Sequence, residues 1–139
     1  VQFTPVINTS YRYAKGRRRA HLKLLLQQEI TMRQVQKITV NNKGGYVFNF
    51  KVQWLNSDGK WYTSQWSSGD YPVAQSRTTP NLETIGVPSD ALAVTVYGHA
   101  LAGSSGQGTP FVGFAANGQI ATYDAVGTTL IGFAINLIE

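Results

Sequence analysis

The sequence contains no cysteine, which excludes disulfides, thiolate zinc sites and cysteine nucleophiles. It has only two histidines, His21 and His99, so a metal site with several histidine ligands is not expected. No apolar run approaches the roughly 18 residues that a transmembrane helix needs. Charged residues make up 14% of the 139 residues and hydrophobic residues 42%, which argues against wholesale disorder and favours one small domain.

Recognisable catalytic arrangements are also missing. No serine lies in a G-x-S-x-G motif, and His99 lies within an apolar strand pattern that favours a tucked or surface histidine over a general base. Asp58, Asp70, Asp90 and Asp124 have no spacing that brings two carboxylates together for acid–base chemistry, and turn formation explains them better. We therefore predict that the protein is not an enzyme and that it needs no cofactor.

Positive charge is concentrated at the start of the chain. Residues 1–37 carry eight basic side chains against one acid, a net charge of +7, whereas residues 38–139 have a net charge of −2. This asymmetry predicts a basic arm over residues 1–33 and a nearly neutral domain over residues 34–139. Basic arms of this kind are typical of contact with nucleic acid or with an anionic membrane, although a solvated arm is the alternative.

The arm contains a helical pattern over residues 17–31, with neither glycine nor proline. Its apolar residues recur at spacings of three and four and would share one helix face: Leu22, Leu25, Leu26 and Ile30. Four basic residues are the candidates for membrane or nucleic-acid contact: Arg17, Arg18, Arg19 and Lys23. Met32, the single methionine, leaves open the alternative that residues 1–31 are an extension.

The rest of the sequence reads as β-strands. Residues 46–54 alternate between apolar and polar side chains, the clearest strand pattern in the chain. Turn residues at 56–59 predict a hairpin, and Asn-Gly at 117–118 predicts a second one joining residues 111–115 to 119–126. Six or seven strands, the last over residues 130–138, then predict a single antiparallel β-sandwich, jelly-roll or immunoglobulin-like, with residues 102–108 as a flexible glycine-rich loop.

Aromatic residues cluster between residues 54 and 71, interleaved with amide and carboxylate side chains. If Trp61 and Trp66 share one strand, they lie at odd and even positions, so at least one faces outward. A flat ring beside polar groups suits a sugar, and the same rings also suit a lipid–water interface. Core packing is the competing interpretation. The candidate ligand-binding residues are Trp61, Tyr62, Trp66, Asp70 and Tyr71.

These features support three functions. The favoured one is a non-enzymatic, lectin-like module that binds a glycan or another cell-surface ligand. The second is a membrane-active, hemolysin-like toxin that uses the basic amphipathic arm on an anionic membrane. The third is a self-assembling structural protein or one that coats nucleic acid.

We also predict a homo-oligomer. The apolar stripe of the arm needs a partner, because an isolated helix of this length is marginal in water. A segment such as residues 3–7 could cover a sheet edge of a neighbouring subunit. Separately, residues 41–76 and 121–130 resemble small secreted microbial β-sandwich proteins. That resemblance implies a secreted or extracellular protein and assigns no residue a role, while the absence of cysteine is equally compatible with a cytoplasmic one.

Overall fold

Ten β-strands and one turn of 3-10 helix make up residues 32–139, the part of the chain that this computed structural model describes. The strands are β1 (Gln34–Val35), β2 (Lys37–Asn42), β3 (Phe48–Leu55), β4 (Trp61–Thr63), β5 (Ser76–Thr78), β6 (Ala93–Ala100), β7 (Ser105–Gln107), β8 (Gly113–Phe114), β9 (Ile120–Val126) and β10 (Ala134–Leu137). The 3-10 turn spans Leu82–Ile85. A mainly β fold is thus confirmed, with more strands than the predicted six or seven. The predicted helix over residues 17–31 and the strand over residues 3–7 lie outside the described residues.

The strands form two four-stranded sheets, in the orders β10-β9-β2-β5 and β4-β3-β6-β7, while β1 and β8 pair separately. Within the four-stranded sheets, the pairs are antiparallel except for β2 and β9, which run parallel. The expectation of purely antiparallel pairing was therefore wrong at this point. The parallel pair needs no crossover helix, because the connection between β2 and β9 passes through the whole second sheet.

Alternation along β3 determines which side chains enter the core. Phe48, Phe50 and Val52 are fully buried, whereas the residues between them are half-buried or exposed. The inward residues of both sheets belong to a single apolar cluster, which also includes Val40 and Tyr123. One hydrophobic layer between the two sheets therefore holds the sandwich together.

The two predicted hairpins had different outcomes. The turn at residues 56–59 joins β3 to β4 as expected; the Asn56 N–H donates to the Lys60 carbonyl at 2.9 Å, and Gly59 adopts a positive φ of 82°. The predicted pairing across residues 117–118 was wrong. There, β8 pairs with β1, whereas β9 pairs with β2 and β10. Local turn chemistry specified the reversal of the chain but not the partner that each strand takes.

The predicted flexible loop at residues 102–108 contains a strand. β7 pairs with β6 and forms an edge of its sheet. A Cβ on Gly108 would lie 2.8 Å from the Tyr123 ring and 3.0 Å from Val96. Glycine here thus permits a close approach of the backbone to the core, which is a packing role rather than flexibility.

We predict that Gly98→Ala destabilises the fold by about 1–3 kcal/mol, because the new methyl group overfills the core. Its Cβ would lie 2.4 Å from Phe48 Cζ and 2.5 Å from Ile135 Cδ1. Gly106→Ala is the matched control, since Gly106 pairs with Gly98 but its added Cβ would have 3.7 Å of clearance. Urea unfolding measures both. Equal stabilities of the two variants would contradict this account of the sheet packing.

We also predict a loss of stability above pH 10 that depends partly on Tyr123. Burial raises the pKa of Tyr123 to about 12, and its hydroxyl donates to the Pro110 carbonyl at 2.7 Å. An unfolded tyrosine has a pKa of about 10, so the neutral phenol stabilises the fold below pH 10 and that contribution falls as pH rises towards 12. Two pKa units correspond to at most about 2.7 kcal/mol. Unfolding at pH 9 and pH 12 should show a smaller loss in Tyr123→Phe than in the wild type; identical losses would refute the assignment.

Candidate functional site

The five predicted ligand-binding residues do not form one surface. Trp61 and Tyr62 lie on β4, but that strand ends at Thr63, so Trp66 belongs to the following segment. The premise that Trp61 and Trp66 share a strand was therefore wrong. Each of the two indoles is half-buried.

Other aromatic rings contact both of these indoles. The Trp61 ring meets Phe111 edge-on with centroids 5.0 Å apart, and the Trp66 ring meets Phe50 in the same way at 5.6 Å. Such contacts stabilise the packing of the chain onto the sandwich. The geometry supports a structural contribution from both rings, and their proposed contact with a ligand stays a prediction.

Tyr62 is the more exposed ring, with 39% of its surface accessible. It stacks on Trp54 at 6.1 Å, and its hydroxyl donates to Asp58 Oδ2 at 2.7 Å. Hydrogen bonds from the Tyr62 hydroxyl and then from the Lys60 N–H lower the pKa of Asp58, while the same bond to Asp58 raises the pKa of Tyr62. The polar groups of this pair already bond to each other, so a ligand would have to compete with that bond.

Tyr71 lies in the core and not on a binding surface, which corrects its placement in the sequence analysis. Only 1% of it is exposed, and its hydroxyl donates to the Val40 carbonyl at 2.9 Å. The Arg77 guanidinium lies over the ring at 4.7 Å, and burial raises the pKa of the phenol. Its neighbour Asp70 is exposed and accepts a hydrogen bond from Asn49 Nδ2 at 2.9 Å.

The predicted contact residues of the arm lie outside the described residues. These are Arg17, Arg18, Arg19 and Lys23. Their proposed contact with a membrane or with nucleic acid stays a prediction, as do the boundary between arm and domain and the homo-oligomer.

Three loops meet at one end of the sandwich, which we call the loop end. They span residues 43–47, 101–104 and 127–133. The Leu101 N–H donates to the Val47 carbonyl at 2.8 Å, and the Gly45 N–H donates to the Gly127 carbonyl at 2.9 Å. Backbone hydrogen bonds between loops thus hold this end together.

The loop over residues 127–133 forms a tight turn. The Thr128 N–H donates to the Ile131 carbonyl at 2.8 Å, and the Thr128 hydroxyl oxygen accepts from the Ile131 N–H at 3.0 Å. The Thr129 carbonyl accepts from the Ser104 N–H at 3.1 Å and from its hydroxyl at 3.0 Å. These bonds anchor the turn while Leu130 remains at its tip.

Apolar side chains extend from the loop end into solvent. Leu130 is 82% exposed and Ile131 76%, the highest values among the large hydrophobic residues that the structure describes. Leu101 and Val47 are exposed to a lesser degree, and we call these four residues the apolar rim. Leu92, exposed by 47%, lies beside Leu55 at the opposite end of the sandwich. Two adjacent aliphatic side chains with so little protein contact suit an apolar partner.

Charge contributes little beside the rim. Lys43 Nζ lies 3.1 Å from Asp124 Oδ2, so the two charges offset each other. No group of three or more histidine, cysteine or acidic side chains within residues 32–139 could hold a metal ion. The same part of the chain has no helix long and apolar enough to cross a membrane.

Sequence reasoning missed the rim because it assigned residues 130–138 to one strand. In the structure, β10 begins only at Ala134, and Gly127 and Gly132 have positive φ values of 89° and 69°. The available signal was the pair of glycines flanking Thr-Thr-Leu-Ile, since glycine supplies positive φ at tight turns. An apolar pair between two such glycines indicates an exposed tip rather than a strand.

No family model and no curated protein matches the chain. Among solved structures, listeriolysin O shares 15% identity at a TM-score of 0.43, covering 74% of this chain and 22% of its own. A Gram-negative toxin shares 16% identity at a TM-score of 0.44, covering 76% and 23%. The membrane-binding domain of pneumolysin shares 14% identity at a TM-score of 0.41, covering 75% and 96%. The matched part is thus less than a quarter of each of the first two chains, and the likeness concerns the β-rich architecture alone.

We predict that Tyr71→Phe lowers the free energy of unfolding by about 0.5–1.5 kcal/mol, because it removes the buried hydrogen bond from the phenol to the Val40 carbonyl. Tyr62→Phe is the control, since its hydroxyl bonds to an exposed carboxylate, and we expect a change within about 0.5 kcal/mol. Chemical denaturation measures both variants. A larger effect at Tyr62 than at Tyr71 would contradict the core position of Tyr71.

Proposed function

We propose that this domain binds a lipid-bilayer surface peripherally, with the apolar rim entering the bilayer interface and Leu130 and Ile131 leading. The observation that carries the proposal is the exposure of those two side chains, at 82% and 76%. Exposure of these apolar side chains to water is unfavourable, and their transfer into hydrocarbon lowers the free energy by removing that surface from water.

The expected energy is modest. Full burial of one leucine or isoleucine side chain contributes about 1.5–3 kcal/mol, so the pair contributes about 3–6 kcal/mol. By itself this corresponds to weak, reversible attachment. Leu101 and Val47 would add to it if the rim enters more deeply.

The turn that presents the pair is already ordered by its own hydrogen bonds. Thr128 bonds to Ile131 through both its backbone and its hydroxyl, and Ser104 anchors Thr129. A preformed turn loses little conformational entropy on binding, so more of the transfer energy remains as affinity. This supports insertion of a rigid tip.

The basic arm would supply a second attraction. Residues 1–37 carry a net charge of +7, and each lysine or arginine near an anionic surface contributes about 1 kcal/mol. Arg17, Arg18, Arg19 and Lys23 are the residues we assign to this role. Stable attachment to a membrane commonly combines an apolar and an electrostatic contribution.

Of the three functions that the sequence supports, this proposal develops the membrane-active one, in a secreted protein that acts on a cell surface. A more specific version of this proposal is a toxin that assembles on the membrane. The lectin-like function gains less from the Trp61–Tyr71 region. Trp61 and Trp66 are half-buried against phenylalanine rings, Tyr71 is in the core, and the hydroxyl of the exposed Tyr62 already bonds to Asp58. The coating of nucleic acid depends on the arm alone.

Liposome co-sedimentation of the full chain tests the proposal. The double variant Leu130→Ser, Ile131→Ser should bind phosphatidylcholine vesicles at least tenfold more weakly than the wild type, because the leading apolar pair is gone. The wild type should bind more strongly when phosphatidylserine is included, and salt should remove that increment because it screens the arm.

Leu92→Ser is the matched control, since Leu92 is exposed at the opposite end of the sandwich. It should bind vesicles as the wild type does. Equal binding by the double variant and the wild type, or equal losses in the double variant and Leu92→Ser, would rule out insertion of the rim.

A further inference from the structure

Tyr97 on β6 is the one exposed tyrosine within residues 32–139 whose ring contacts no other aromatic ring there. It is 40% exposed, and its hydroxyl has no hydrogen-bond partner in that part of the chain. By contrast, Trp54 stacks with Tyr62, and the other two indoles meet phenylalanine rings. The aromatic ring most available to a ligand therefore lies outside the region that the sequence analysis chose.

Tyr97 faces outward at the centre of a polar patch on the β4-β3-β6-β7 sheet. Lys51 lies directly opposite it on β3, and the next outward pair along the two strands is Asn49 opposite His99. Opposite residues on antiparallel strands have Cβ atoms about 5 Å apart, and successive outward positions on one strand are about 7 Å apart. We call these four residues the Tyr97 face.

Neighbouring side chains orient the polar groups of the face. Asn49 Nδ2 donates to Asp70 Oδ1 at 2.9 Å, and His99 Nδ1 forms a hydrogen bond with Ser105 Oγ at 2.7 Å. These bonds leave the second oxygen of Asp70 and Nε2 of His99 without a partner among the described residues, and the Lys51 ammonium forms no ion pair there. The face thus presents donors and acceptors side by side.

A row of hydrogen-bonded amides lies on the other side of Tyr97. Gln107 Nε2 donates to Gln53 Oε1 at 2.8 Å, and Gln53 Nε2 donates to Thr63 Oγ1 at 3.0 Å. This row crosses the sheet from the edge strand β7 to the edge strand β4. The surroundings of Tyr97 are therefore held in place before any ligand arrives.

We propose that the Tyr97 face binds one sugar residue of a cell-surface glycan. The C–H face of the sugar would lie against the Tyr97 ring, and its hydroxyls would bond to Lys51, His99 and the Asn49–Asp70 pair. A sugar hydroxyl donates and accepts, which matches this mixture of groups. An anionic ligand fits less well, because the Asp70 carboxylate bonds to Asn49 at the edge of this face.

The Tyr97 face lies next to the loop end, but glycan binding at this face does not require the loop end to bind a membrane. Beyond Asn49 and His99, the next residues outward are Val47 and Leu101 of the apolar rim, which bond through their backbones. Leu101 lies four positions along the chain from Tyr97, a distance of about 13 Å along a strand. If Leu101 lies at a membrane surface, a glycan that extends from that surface by this distance would reach Tyr97.

Binding of the full chain to an array of immobilised glycans tests the proposal, with terminal galactose, glucose, mannose, N-acetylglucosamine, fucose and sialic acid as probes. Tyr97→Ala should lower binding to the recognised glycan at least tenfold, whereas Tyr97→Phe should retain most of it because the ring remains. Tyr62→Ala, which removes a ring of similar exposure, should bind as the wild type does. Lys51→Ala, at an exposed position, should weaken binding severalfold even if Tyr97→Ala fails to fold.

Absence of glycan binding by the wild type would overturn the proposal. So would binding that survives both Tyr97→Ala and Lys51→Ala, or that is lost in Tyr62→Ala alone. Vesicle binding separates this site from the proposed membrane contact. Tyr97→Ala should bind phosphatidylcholine vesicles like the wild type, and the double variant of the rim should keep its glycan binding.

Discussion

The contact between the two four-stranded sheets determines where every other feature lies. At Gly98 the backbone of β6 approaches so closely that an added Cβ would meet both Phe48 and Ile135, which come from opposite sheets. The inward side chains of the two sheets pack directly against each other and form one buried apolar layer. Because the layer is thin, loops from both sheets lie close together, and their backbones bond to one another at the loop end.

The same alternation that fills the core also creates the outer surface of the sheet. On β3, Phe48, Phe50 and Val52 point inward, so Asn49 and Lys51 must point outward. On β6, the corresponding outward residues include Tyr97 and His99. The polar face with its one aromatic ring therefore follows from the register between β3 and β6, whereas Leu130 and Ile131 of the apolar rim come from the turn between β9 and β10.

Local sequence patterns predicted the features that local physics determines. The alternation over residues 46–54 and the turn at residues 56–59 were read correctly, because each depends on residues adjacent in the chain. The parallel pairing of β2 with β9 and the burial of Tyr71 depend on residues distant in sequence, and neither leaves a local signal. Leu130 and Ile131 were missed because two apolar residues in a turn resemble the start of a strand.

Entry of the loop end into a membrane is tested most directly by a site-specific probe. Because the natural sequence has no cysteine, Ile131→Cys and Leu92→Cys each provide a single attachment point for an environment-sensitive fluorophore. On phosphatidylcholine vesicles, we predict a blue shift and an intensity increase for the label at residue 131 and no change at residue 92. An unchanged spectrum at residue 131 on vesicle-bound protein, or equal shifts at both positions, would contradict the account.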